Sequence, residues 1–196
     1  MAKLYFRYGA MGSGKTAQLL MVAFNYQEKG QRAVIIKPAL DIKGENRVST
    51  RIGLEKDVDV LAGEEDDIFQ IIQSFFPLLN CVLVDEAQFL SARQIDQLQQ
   101  VVIQLNLPVI AYGLRCDGNQ ESRSGSCRLL EIADKIEELK TMCECGNKAT
   151  MNCRFDREGS LILGGEKILI DGMSDVVYRS LCPRCWMSYK EKLSDE

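Results

Sequence analysis

Gly9-Ala10-Met11-Gly12-Ser13-Gly14-Lys15-Thr16 constrains this chain more than any other stretch. It matches G-x-x-x-x-G-K-[ST] and stands between predicted elements of opposite kind. Before it, Leu4-Tyr5-Phe6-Arg7-Tyr8 is rich in β-formers and predicts a first strand. After it, Leu19, Leu20, Ala23 and Phe24 recur at helical spacing until Gly30, a natural helix stop. Glycines let such a loop curl until its N–H groups converge on phosphate oxygens. Lys15 adds a charge near the β and γ phosphates, Thr16 offers a hydroxyl to Mg²⁺, and the helix N-terminus adds a partial positive charge. The loop predicts that Gly9, Ala10, Met11, Gly12, Ser13, Gly14, Lys15 and Thr16 hold a nucleotide. A glycine-rich turn with an incidental lysine is the bland alternative, and the flanking strand and helix weigh against it.

The same alternation continues downstream. Ala33-Val34-Ile35-Ile36, Cys81-Val82-Leu83-Val84 and Val109-Ile110-Ala111-Tyr112 are continuous apolar runs, and a shorter strand is expected at 58–61. Helices are expected over about 66–76, with an acidic first turn, and from a Ser91 cap to about Leu105. Apolar strands alternating with amphipathic helices predict an α/β fold with a parallel sheet covered on both faces. A polar loop spans 41–51. After Lys140, cysteine pairs, glycines and short β-prone pieces at 161–163 and 168–170 replace this pattern. The expected division is a core over 1–140 and a small C-terminal lobe over 141–196.

Val82-Leu83-Val84-Asp85-Glu86 sets two carboxylates where an apolar strand leaves the sheet, a place expected to lie beside the phosphate loop. Asp85 suits a Mg²⁺ shell and Glu86 suits a general base. The chain has no histidine, so few other bases are available and Ser-His-Asp or Cys-His catalysis is excluded. Asp85-Glu86-Ala87-Gln88 also resembles a helicase motif, but a helicase needs a second lobe and a basic track for its strand. With a net charge of −4 and scattered basic residues, long polyanions are not expected partners. No apolar run approaches the roughly 20 residues that span a bilayer. The N-terminus, with Arg7 inside its short apolar stretch, does not read as a signal peptide. A cytoplasmic protein is expected.

The cysteines point to a second kind of site. Cys143-Glu144-Cys145 and Cys182-Pro183-Arg184-Cys185 form two close pairs among eight cysteines. Four thiolates close a tetrahedral shell, so the expectation is a structural Zn²⁺ held by Cys143, Cys145, Cys182 and Cys185, with disulfides as the alternative. Cys81, Cys116, Cys127 and Cys153 read as packing residues.

Taken in order, the phosphate loop, Asp85-Glu86-Ala87-Gln88-Phe89, Tyr112-Gly113-Leu114 and the late cysteine pairs resemble the type II, zinc-containing thymidine kinase family. The resemblance covers nearly the whole chain, from Leu4 to about Trp186. It implies a RecA-like core, a zinc lobe carrying a lasso loop over the nucleoside, and Mg-ATP as donor. It also implies Glu86 as base, a homotetramer and feedback inhibition by dTTP. By position it assigns Lys15 and Lys43 to catalysis beside Glu86. Met11, Asp41, Gln88, Phe89, Leu114, Asn152, Ile170, Asp171, Gly172 and Tyr178 fall to the nucleoside. Several positions depart from the pattern. Lys43 replaces the family's Arg, and Gly118 and Arg123 stand where the family has aromatics. Asn152 stands where a less polar residue is usual, and the lasso is about two residues longer. The leading expectation is an ATP-dependent deoxynucleoside kinase making dTMP from thymidine. A kinase preferring deoxyuridine or a modified pyrimidine deoxynucleoside, a non-catalytic nucleotide-binding regulator and a simple ATPase are the other readings.

Overall fold

A computed structural model describes residues 1–41, 46–164 and 176–194. The elements are β1 (Leu4–Tyr8), α1 (Lys15–Glu28), β2 (Ala33–Pro38), β3 (Arg47–Ser49), β4 (Glu55–Asp57), β5 (Val60–Ala62), α2 (Ile68–Phe75) and β6 (Cys81–Val84). A 3₁₀ turn (Ala87–Phe89), α3 (Ala92–Leu105), β7 (Val109–Gly113), α4 (Ser124–Ile132) and β8 (Lys135–Glu138) follow. The C-terminal part holds β9 (Thr141–Met142), β10 (Lys148–Ala149), β11 (Met151–Phe155), β12 (Leu161–Ile162), β13 (Val177–Leu181) and α5 (Pro183–Ser194).

Among the described residues, six strands form one sheet in the order β5-β2-β6-β7-β1-β8, and every pairing in it is parallel. The expected α/β, RecA-like core is thus the observed one, with β7 between the strand feeding the phosphate loop and the strand ending at Asp85. Both faces of the central strands are buried, which explains the unbroken apolar runs. On one face Leu4, Phe6, Val34, Ile36, Val82 and Val84 pack with Ile68, Ile72, Ile95, Leu98 and Val101 from α2 and α3. On the other, Ile35, Leu83, Ile110 and Tyr112 meet Leu19, Leu20 and Ala23 of α1. The Ser91 cap is real and forms a capping box, its hydroxyl taking the Gln94 N–H while the Gln94 side chain takes the Ser91 N–H. Asp67, rather than opening α2, caps it by accepting from the Gln70 N–H.

A third, separate core joins Cys143, Ala149, Cys153, Phe155, Leu161, Leu181 and Cys182, with Trp186 and Tyr189 of α5 packed against it. Several features had no forewarning in the sequence, among them the β3–β4 hairpin, whose first strand lies inside the expected polar loop over 41–51. β8 is an edge strand of sequence Lys-Ile-Glu-Glu, whose charges hide it from a search for apolar runs but suit an unpaired edge. α4 and α5 were also unexpected, α5 because Pro183 and Cys185 read as a metal turn. The expected piece at 168–170 lies outside the described residues. Cys127 is exposed and Cys116 half-buried, so neither packs as expected, whereas Cys81 and Cys153 are buried.

Candidate active site

Positive φ decides where the phosphate loop bends. Gly12 and Gly14 sit at φ +76° and +79°, in the left-handed region that side chains disfavour. Gly14 is also the N-cap of α1, and no side chain caps that helix end. The first N–H groups of α1 are therefore open to an anion, where a Ser or Asp cap would have used one. Lys15 is buried, and its ammonium donates to the carbonyls of Gly9 and Ala10, each at 3.1 Å. Burial lowers its pKa, while Glu86 and Asp85 raise it again.

Asp85 lies beneath the loop at the end of β6, and Thr16 donates its hydroxyl to that carboxylate at 3.2 Å. Burial first, and then Glu86, pushes the Asp85 carboxyl up to about 7, against the pull of Thr16 and Lys15. The next residue, Glu86, holds a left-handed backbone at φ +48°, a conformation that costs a non-glycine residue on the order of 1 kcal/mol. The bend starts the 3₁₀ turn and carries the Glu86 side chain to the cleft. Gln88, almost fully buried, donates its amide to the Glu86 carboxylate and accepts the Leu114 N–H at 2.9 Å. Close approach here needs Gly113: a Cβ at that position would stand 2.8 Å from Gln88 Oε1.

Lys15, Thr16, Glu86 and Gln88 open on one cleft of about 490 Å³, with Asp85 buried behind Thr16 and not in its lining. Of the residues expected at the site, Met11, Gly12, Gly14, Lys15, Thr16, Asp41, Glu86, Gln88, Phe89, Leu114, Asn152 and Tyr178 line it. Gly9 and Ala10 act behind the wall through their carbonyls, and the Ser13 hydroxyl is buried, with no hydrogen-bond partner among the described residues. Lys43, Ile170, Asp171 and Gly172 lie outside the described residues. Asp41 pairs with the buried ammonium of Lys37 at 3.4 Å.

Three cations in the cleft, Arg51, Arg115 and Arg154, had no sequence signal. Arg51, beside the β3–β4 hairpin, lowers the Lys15 pKa by its charge. Arg154, buried on β11, sends its guanidinium to Asn119 and to the Gly164 carbonyl. The departures noted in the sequence find their physical counterpart here. A Cβ on Gly118 would come within 3.1 Å of Arg154 Cγ and Cδ, so the Arg154 stem fills the space beside the glycine. The Arg123 guanidinium lies 4.8 Å from the Phe89 ring centroid, a stack of charge on π-face where another ring was expected.

Away from the cleft, the Sγ atoms of Cys143, Cys145, Cys182 and Cys185 all lie within 4.8 Å of one another. A tetrahedral Zn–thiolate centre needs sulfurs about 3.8 Å apart. Cys145 and Cys182 stand at 3.6 Å, far longer than a disulfide, and all eight cysteines are free. Hydrogen bonds from Asn147 hold the Cys145 thiol down, while Cys185, hydrogen-bonded to it, is pushed up. The donor set fits a structural, closed site.

No helix among the described residues is long and apolar enough to cross a membrane. Comparison with known proteins adds the family. A family model described as thymidine kinase matches residues 2–186. A thymidine kinase of Shewanella oneidensis is 43% identical over 185 residues, 93% of this chain and 95% of that protein. One of Photobacterium profundum is 44% identical over 196 residues, covering 98% and 99%. One of Listeria monocytogenes is 43% identical over 187 residues, covering 94% and 96%. On that match, and with the motifs in their expected order, the chain belongs to the thymidine kinase family.

Proposed function

We propose that this chain transfers the γ-phosphate of ATP to the 5′-hydroxyl of thymidine, giving dTMP and ADP. One observation carries the reading: Lys15 and Glu86, from separate motifs on separate strand ends, line the same cleft. The loop N–H groups and the α1 N-terminus bind the donor phosphates, and Lys15 exchanges its carbonyl partners for phosphate oxygens. Glu86 accepts the proton of the 5′-hydroxyl as its oxygen bonds to the γ-phosphorus and the bond to the bridging oxygen of ADP breaks. Gln88 holds the Glu86 carboxylate for that task. Thr16 and Asp85, hard oxygen donors side by side, are the residues for Mg²⁺, which supplies neutralisation of phosphate charge. Lys43 adds a further positive charge at the transferred group.

The nucleoside occupies the wall made by Met11, Asp41, Gln88, Phe89, Leu114, Asn152 and Tyr178, and the family resemblance adds Ile170, Asp171 and Gly172 to the residues that bind it. A core over 1–140 thus provides the chemistry, and a lobe over 141–196, stapled by Zn²⁺ on the four cysteines, completes the nucleoside site. A homotetramer, feedback inhibition by dTTP and a cytoplasmic location belong to the same reading, supported by the family resemblance. Incubating the purified protein with Mg-ATP and each of thymidine, deoxyuridine, deoxycytidine, deoxyadenosine and deoxyguanosine tests it, with nucleotide products separated by chromatography. dTMP formation, lost in Lys15→Ala, is the expected result. ATP hydrolysis with no nucleoside monophosphate would replace the kinase reading by an ATPase.

A further inference from the structure

Three side chains from the C-terminal strands reach back and bond the backbone of the phosphate loop at two adjacent residues. Asn152 on β11 accepts the Met11 N–H at 2.8 Å, and Ser180 on β13 donates its hydroxyl to the Met11 carbonyl at 2.6 Å. Thr141 on β9 donates to the Gly12 carbonyl at 3.4 Å. Asn152 and Ser180 face each other directly in the β11–β13 ladder, so they close on both polar groups of one residue.

Asn152 is itself held. It is nearly fully buried, its Nδ2 donates to the Cys116 carbonyl at 2.8 Å, and its own carbonyl accepts from Gln120 at 2.7 Å. This use of both ends of the amide gives Asn152 a purpose that the sequence pattern, where a less polar residue is usual, does not supply. A threonine hydroxyl is too short to span Met11 and Cys116 together.

Lys15 and the Ser13 N–H brace the first residues of the loop through the Gly9 and Ala10 carbonyls, while around Gly12 and Gly14 a would-be Cβ meets nothing within 4 Å. A glycine-rich segment ordered only on binding charges its lost freedom against ligand affinity, and prior ordering removes that cost.

We propose that Asn152 and Ser180 are positioning residues for the donor: the C-terminal strands hold Met11, and through it the phosphate loop, in the curvature that accepts the phosphates of ATP. The proposal rests on the phosphate-loop reading given above.

The test is calorimetric binding of Mg·AMP-PNP without nucleoside, to zinc-loaded wild type, Ser180→Ala, Ser180→Thr, Asn152→Thr and Lys15→Ala. One hydrogen bond lost on each side predicts a donor Kd raised about 3- to 10-fold in Ser180→Ala and in Asn152→Thr. Ser180→Thr, which keeps the hydroxyl, should restore wild-type affinity. For Ser180→Ala the KM for ATP should rise with the donor Kd while kcat at saturating substrates stays within about twofold, the split that lost donor binding gives and a distorted reaction centre does not. Wild-type donor affinity in either folded variant overturns the clamp; if Ser180→Ala sheds its zinc, Asn152→Thr alone decides. Lys15→Ala separates the two readings. Weak binding there beside wild-type binding in Ser180→Ala removes only the clamp, whereas wild-type binding in Lys15→Ala removes the phosphate-loop reading as well.

Discussion

Replacing Asp85 by asparagine should make the nucleotide-free protein more stable while disabling it, and the gain should depend on pH in a defined way. The folded carboxyl is pushed from its ordinary 3.8 up to about 7, by burial first and by Glu86 second. Between those values the folded protein keeps a proton that the unfolded chain has released, so stability falls as pH rises through the window and levels off above about 7. At roughly 1.4 kcal/mol per pH unit, Asp85 costs the empty fold on the order of 4 kcal/mol at pH 8, where it is ionised, and on the order of 2 at pH 5, where it holds a proton the unfolded chain has released. The amide of the Asp85→Asn variant is neutral throughout and escapes that cost. Urea denaturation of wild type and Asp85→Asn, at pH 5 and pH 8 without nucleotide or Mg²⁺, cancels the titrating groups that do not interact with Asp85. The variant should gain about 2–3 kcal/mol more over wild type at pH 8 than at pH 5. Phosphoryl transfer by the variant should fall at least about 100-fold, because the Mg²⁺ site loses its charged donor. Parallel pH slopes for the two proteins would refute the account of a destabilised carboxylate kept in place for a cation.

Glu86→Gln should lower kcat by roughly 10²–10⁴-fold with the Kd for Mg·AMP-PNP within about twofold of wild type; undiminished turnover would remove Glu86 as the base. Cys182→Ser should lose bound zinc, read by atomic absorption, and melt at a lower temperature, because the small core around Phe155 and Leu181 loses its staple; full zinc content with an unchanged melting curve would count against the four-cysteine site. Gly113→Ala should destabilise the fold by about 1–3 kcal/mol in urea, since its Cβ meets Gln88 Oε1 at 2.8 Å and breaks the bond to the Leu114 N–H. The same change should reduce kcat by loosening Gln88 from Glu86, and wild-type stability together with wild-type kcat would contradict that linkage.

Much of this protein is determined by local chemistry that a reader of the sequence can follow. The apolar runs at Val34–Ile36 and Val82–Val84 demand burial on both faces, hence a parallel sheet between helices. Gly12, Gly14 and Lys15 point to a phosphate loop, and four closely paired cysteines in a chain without histidine offer a metal only sulfur at that place. Tertiary structure alone decided the rest. β8 exists because a charged strand can pair with the exposed edge of β1, a property of the neighbour and not of its own composition. Arg154 reaches the cleft because β11 turns it there, and the space it fills beside Gly118 is visible only once the two segments meet. The bonds from Asn152 and Ser180 to Met11 join residues more than a hundred positions apart. Periodicity reports which face of an element is buried; which distant backbone group a side chain will meet there is set by how the elements are stacked.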